Sequence, residues 1–256
     1  MIQKVFANNV ADILKDDQTI IGLAAAGSWL TDEIDEWSDL DLVIVTRDNL
    51  NADQTKMLEY ASRFGSLLSA FTGEHVGEKR LLICLYDEPL LHVDLKFVTL
   101  NEFEERIENP IILLDSGDSL QTIINTTKAV FPMPDYQWFE DRFWPWVHYC
   151  LLKIGRGEYL EALECMGFLR RIVFGPLLHI KNNNLPRGVR KVETTLGVAD
   201  FKSLVGTVSL NDKESLLISV QNAVELYRSL RRDLFKDNIS YNKAENAVIK
   251  YFESLV

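Results

Sequence analysis

LAAAGSWLTDEIDEWSDLDLVIVT, Leu23 to Thr46, decides how this chain is read. Two apolar runs flank an acidic connector. The first, TIIGLAAAG (Thr19 to Gly27), stops at a Gly-Ser pair, and the second, SDLDLVIVT (Ser38 to Thr46), opens with two aspartates one residue apart. Both runs have the length and β-branched content of buried strands. In Asp39-Leu40-Asp41-Leu42 the leucines turn into a core and both carboxylates share the opposite face, about 7 Å apart at their Cα atoms. Half-buried like charges repel and resist ionisation unless a cation lies between them, so the pair calls for a divalent metal. With oxygen donors only, Mg²⁺ or Mn²⁺ is the fitting ion. Gly27 allows a tight turn after the first strand, and amide N–H groups with the Ser28 hydroxyl can hold phosphate oxygens.

Working outward, Val5, Phe6, Val10, Ile13 and Leu14 recur at helical spacing and predict a first helix. A second helix is expected over Asp53 to Phe71, with Met57, Leu58, Ala61, Phe64, Leu67, Leu68 and Phe71 on one stripe. KRLLICLYD (Lys79 to Asp87) and LLHVDLKFVTL (Leu90 to Leu100) are separated only by Glu-Pro and form a hairpin. The second of these strands carries Asp94 on the face of His92 and Lys96, opposite Val93, Leu95 and Phe97. Should it lie beside the strand of Asp39 and Asp41, three carboxylates converge. NEFEERIE is expected to be a short helix, and PIILLDSGD (Pro110 to Asp118) a last strand entering a turn.

VFPMPDYQ (Val130 to Gln137) holds two of the seven prolines and precedes a region with almost no strand signal. The boundary falls there, giving domains 1–130 and 131–256. Trp138 to Ile154, Tyr159 to Ile180, Lys213 to Phe235 and Tyr241 to Leu255 all show helical periodicity, so a helical bundle follows, with Lys181 to Gly188 as a connection. A chain of 256 residues, 47% hydrophobic, can bury one large core or two modest ones, and two domains are expected. Its net charge of −11 argues against a general nucleic-acid binder. MIQKVFANNVADILKDD has the pattern of neither a signal peptide nor a presequence, and no apolar run reaches membrane-spanning length. Cys84, Cys150 and Cys165 are read as reduced core thiols, so a cytoplasmic protein is expected.

Gly27-Ser28, ten intervening residues, Asp39-Leu40-Asp41 and a later strand-borne Asp94 together resemble the signature of the DNA polymerase β-like nucleotidyltransferase superfamily. The layout is similar to its antibiotic-modifying branch, the aminoglycoside and lincosamide nucleotidyltransferases. PIILLDSGDSL is also similar to the final strand and turn of that catalytic domain. The resemblance implies an α+β fold, with an N-terminal mixed sheet and flanking helices followed by a C-terminal helical substrate-binding bundle. It further implies that Asp39, Asp41 and Asp94 ligate two Mg²⁺ ions, Mn²⁺ being possible, and that Asp94 is either the third ligand or the general base. Gly27 and Ser28 would hold the β- and γ-phosphates of a nucleoside triphosphate. A nucleoside monophosphate, AMP from ATP first, would pass to a hydroxyl of a small, cationic acceptor such as an aminoglycoside, bound in a cleft between the domains, with release of pyrophosphate. In several relatives the third acid is Glu, so Asp at 94 bears on which role it takes.

Other readings stay open. Asp39 and Asp41 can be a solvated strand mouth, and Asp94 a partner of Lys96 or Arg80. Asp32, Glu33, Asp35 and Glu36 read as a solvated face or as a rim for a cationic substrate; Trp29 and Trp37 read as core or as stacking surfaces. Lys153 is a candidate phosphate contact, with Glu140, Asp141 and His148 on the same helix as candidate acceptor contacts. Arg142 and His148 also fit the loose R-x(4–6)-H spacing of HEPN-type ribonucleases, though Pro145 lies between them. Transfer of AMP to a partner protein, and a silent nucleotide-binding module, are the alternative functions.

Overall fold

The computed structural model describes residues 1–31, 33–50, 52–236 and 238–256, so Asp32 of the connector lies outside the described residues. The chain divides into two compact units, Met1–Pro132 and Met133–Val256. No helix among the described residues is long and apolar enough to cross a membrane.

The first unit is built on a six-stranded mixed sheet. Its strands are β1 (Ile20–Ala25), β2 (Leu40–Thr46), β3 (Ser66–Gly73), β4 (Glu78–Asp87), β5 (Leu91–Thr99) and β6 (Ile111–Asp115). Their order is β3-β4-β5-β2-β1-β6. Only β2 and β5 run parallel; the other neighbours are antiparallel, including the expected β4–β5 hairpin. Side-chain alternation then gives the sheet two faces. Leu40, Leu42 and Ile44 of β2 and Val93, Leu95 and Phe97 of β5 pack with Ala7, Val10 and Leu14 of helix α1 (Ile2–Leu14) and with Met57 and Ala61 of α2 (Gln54–Ala61). Each such large apolar side chain contributes roughly 1.5–3 kcal/mol on burial. On the other face Val45 and Val98 meet Phe103 of α3 (Leu100–Glu104) and Leu120 of α4 (Ser119–Thr126). Of these two short helices α3 packs on β5 and β2, and α4 on β1 and β6.

The expected helix over Asp53 to Phe71 is half wrong. It ends at Ala61, and Ser66–Gly73 is strand β3, paired with β4 from Ser66↔Asp87 onward. Residues 62–65 form the turn between the two, and the exposure of Leu68 and Phe71 fits a sheet-edge strand better than a helical stripe. A helix absent from the sequence reading, α4, follows β6; the Asp115 carboxylate accepts from the amides of Leu120 at 3.0 Å and Gln121 at 2.9 Å and so satisfies its free N–H groups.

The second unit is helical: α5 (Tyr136–Arg156), α6 (Tyr159–Leu169), α7 (Gly175–Lys181), α8 (Val192–Thr195), α9 (Val198–Val205), α10 (Lys213–Leu234) and α11 (Glu245–Glu253). Asp135 caps α5, which runs through Pro145 and stops at Gly157 in the left-handed conformation. The helix expected over Tyr159 to Ile180 is interrupted by a π-helical turn, Arg170–Phe174. Gly175 follows it because a Cβ there would stand 2.1 Å from the carbonyl oxygen of Gly188. The core is aromatic, with Phe143 stacked on Tyr227 at 3.7 Å. All three cysteines are free; Cys84 and Cys150 are buried and Cys165 is partly so.

Candidate functional site

β2 emerges from the connector at Asp39, immediately before its first residue, and Asp41 is its second residue. Leu40 and Leu42 are 1% exposed, which sends the intervening carboxylates to the opposite face. Register then adds the third acid. Asp41 pairs directly with Asp94 across the parallel β2–β5 ladder, where adjacent strands lie about 4.8 Å apart. Asp39, Asp41 and Asp94 are all partly buried.

Gly27 completes the local structure. It adopts φ +64°, and a Cβ at this position would stand 1.9 Å from Oδ2 of Asp41 and 2.9 Å from its Cγ. The carboxylate of Asp41 therefore lies against the bare backbone of the Gly-Ser turn, and the Ala26 amide donates to the Asp41 carbonyl at 3.0 Å. Glycine is required twice here, for its left-handed backbone and for the space its missing side chain leaves. Ser28 lies inside the 3₁₀ turn Gly27–Thr31 and does not cap an α-helix.

The charges around Asp94 separate its two readings. Lys96 pairs with Glu78 at 3.0 Å, and Arg80 with Glu78 at 2.7 Å and Glu102 at 3.0 Å, so neither cation takes up Asp94. Its partner is His92, with Nε2 3.0 Å from Oδ1. Burial holds the Asp94 pKa above the ordinary carboxylate value, Asp39 adds to the rise, and His92 opposes it. Among the described residues no three His, Cys, Asp or Glu side chains are gathered closely enough to grip an ion. What brings these three acids to one place is strand register, and their oxygens are the hard donors that Mg²⁺ or Mn²⁺ takes. Register and donor chemistry fit such an ion.

The remaining candidates are placed as follows. Lys153 lies in the last turn of α5, where Glu158 at 2.7 Å, Glu161 at 3.5 Å and the Tyr149 ring at 5.0 Å hold its ammonium. Glu140 is fully buried and accepts from Tyr227 Oη at 2.7 Å, Arg231 Nη1 at 3.0 Å and the Asn242 amide at 3.0 Å, a structural centre of the second unit. Asp141 accepts from Gln137 at 2.8 Å. Arg142 stacks on Trp138 and His148 on Tyr251; six residues apart on one continuous helix, they project about 120° apart. Trp29 packs against the core of the first unit beside Lys4, whereas Trp37 is 86% exposed on the connector with Glu33, Asp35 and Glu36. The network of Glu78, Arg80, Lys96 and Glu102 joins three consecutive elements, β4, β5 and α3, and its pairings depend on how these fold back on one another.

Comparison with known proteins adds to this geometry. Residues 7–119 match the family model described as a nucleotidyltransferase domain. No curated protein matches the sequence significantly. The chain has structural likeness to an aminoglycoside 6-adenyltransferase from Bacillus subtilis, at 20% identity, 99% of this chain, 98% of that one and a TM-score of 0.42. It also resembles a Thermotoga maritima CCA-adding enzyme complexed with tRNA, at 13% identity, 99% of this chain, 69% of that one and a TM-score of 0.32. With TM-scores this low, neither likeness bears on what the chain acts on. The family match falls on the strands that carry the Gly-Ser turn and the three aspartates, and over these residues the chain is similar to a nucleotidyltransferase domain.

Proposed function

We propose that this chain transfers a nucleoside monophosphate, AMP from ATP first, to a hydroxyl of a small cationic acceptor, an aminoglycoside being the first to test, with release of pyrophosphate. The observation that carries the reading is the direct pairing of Asp41 with Asp94, with Asp39 two residues ahead on the same strand. Residues 1–130 would be the catalytic domain and 131–256 the substrate-binding domain.

In this reading Asp39 and Asp41 hold Mg²⁺, and Asp94 either joins them or takes the proton of the acceptor hydroxyl. The metal supplies charge neutralisation on the phosphates, the main requirement of phosphoryl-type transfer. The amides of Gly27 and Ser28 and the Ser28 hydroxyl orient the β- and γ-phosphates, so that the leaving pyrophosphate is held as the acceptor oxygen attacks the α-phosphorus. Lys153 would contact phosphate only by exchanging its present partners, Glu158 and Glu161. The exposed acids Glu33, Asp35 and Glu36 favour a cationic acceptor over nucleic acid.

The test is incubation with labelled ATP, GTP, CTP or UTP, Mg²⁺ and a panel of aminoglycosides and lincosamides, following pyrophosphate release and label on the acceptor. Asp39→Asn and Asp41→Asn each conserve shape while removing a charged ligand, and each should abolish turnover with the fold intact. Turnover that survives both substitutions refutes the proposal.

A further inference from the structure

His92 precedes Asp94 by two residues on β5 and shares its face of the sheet. Its side chain is 51% exposed and that of Asp94 23% exposed. An ionised carboxylate has no proton to give, so in the 3.0 Å contact the imidazole Nε2–H donates and Asp94 Oδ1 accepts. This is the contact that fixes the carboxylate. The nearby cations Lys96 and Arg80 are committed to Glu78 and Glu102, and Asp94 Oδ2 has no hydrogen-bond partner among the described residues. Without His92, rotation about the terminal torsion of Asp94, which is broad and weakly restrained, would be limited only by packing. The imidazole itself is half in solvent and contributes little to the core.

We infer that His92 is a positioning residue for the reaction: its hydrogen bond ties down one oxygen of Asp94 and leaves the other aligned for the metal or the acceptor proton. The inference rests on the functional reading above. It assigns His92 no contact with substrate, and it predicts an effect on the chemical step and on metal affinity with little effect on nucleotide binding. Groups that hydrogen-bond a metal's carboxylate ligands change affinity or activity by about 10–100-fold when removed.

The experiment compares the full chain with His92→Ala and His92→Gln, the glutamine amide being able to donate from nearly the same place as Nε2. Two quantities are read: kcat and KM for the triphosphate, and Mn²⁺ binding without nucleotide, followed by the paramagnetic resonance of free Mn²⁺. His92→Ala should lower kcat and weaken Mn²⁺ binding, each about 10-fold or more. KM should stay within about twofold and the melting temperature should match wild type; His92→Gln should restore both losses. A His92→Ala protein equal to wild type in kcat and Mn²⁺ affinity overturns the inference, as does a glutamine variant as impaired as the alanine one. Asp41→Asn separates the two levels. If it binds Mn²⁺ as well as wild type, the functional reading itself fails; if it loses binding while His92→Ala keeps both wild-type binding and wild-type kcat, only the role of His92 fails.

Discussion

Replacing Gly27 by alanine should silence the enzyme while leaving it folded. The new methyl would stand 1.9 Å from Oδ2 of Asp41, where ordinary contact begins at 3.4 Å, so the carboxylate must retreat by about 1.5 Å. That atom ends a side chain and can move, which keeps the steric cost to the fold small. The backbone term is separate: a non-glycine residue at φ +64° costs about 1–2 kcal/mol. This corresponds to a fall of roughly 2–8 °C in melting temperature. Misplacing a reacting group by even about 1 Å can cost a hundredfold in rate, so kcat should fall by at least about 100-fold. Gly77→Ala is the control. Gly77 has φ +79°, and a methyl added there would meet nothing within 4 Å, so this variant carries the backbone cost alone and should keep full turnover. Calorimetry and pyrophosphate release on the two variants decide the matter. A Gly27→Ala protein within threefold of wild-type turnover would show that Asp41 has no part in the reacting geometry.

Two further outcomes concern stability. Glu140→Ala leaves Arg231 with Glu245 as its remaining carboxylate partner and removes the acceptor of Tyr227 and of the Asn242 amide; it should destabilise the second unit by about 3 kcal/mol, measured by urea denaturation. The Arg80 guanidinium, helped by Lys96, holds the Glu78 carboxyl at about 2, below its usual 4.5. A depressed carboxyl stabilises the fold fully above its unfolded pKa of 4.5 and loses that contribution as pH falls toward 2. The shift corresponds at most to about 3 kcal/mol, reduced to about 1 kcal/mol by solvent at a side chain 26% exposed. The drop in urea midpoint between pH 5 and pH 2.5 should therefore be smaller in Glu78→Gln than in wild type.

What was legible in the sequence followed from short-range alternation. Asp39-Leu40-Asp41-Leu42 and His92-Val93-Asp94-Leu95 each state which residues share a face, because strand periodicity is local. Neither states that the two segments are neighbours. Their parallel register joins residues 53 positions apart, and no residue between them encodes it. The error over Asp53 to Phe71 has the opposite origin: Phe64, Leu67, Leu68 and Phe71 continue a helical spacing, but Ser66–Gly73 gains a full ladder by pairing with β4, and tertiary pairing outweighs local propensity. α4 was hidden because its stabilising acceptor, Asp115, lies in the preceding strand. Lys96 and Arg80 looked like partners for Asp94 by proximity in sequence; Glu78 and Glu102, one from a neighbouring strand and one from a helix, claim them in space.

The most direct measurement is the anomalous diffraction of Mn²⁺ in crystals grown with a non-hydrolysable triphosphate analogue. The account predicts a peak bonded to carboxylate oxygens of Asp39 and Asp41, with Asp94 bound to the same or a second ion and the analogue's terminal phosphates on the amides of Gly27 and Ser28. Ordered analogue with Mn²⁺ bound away from these aspartates would contradict it.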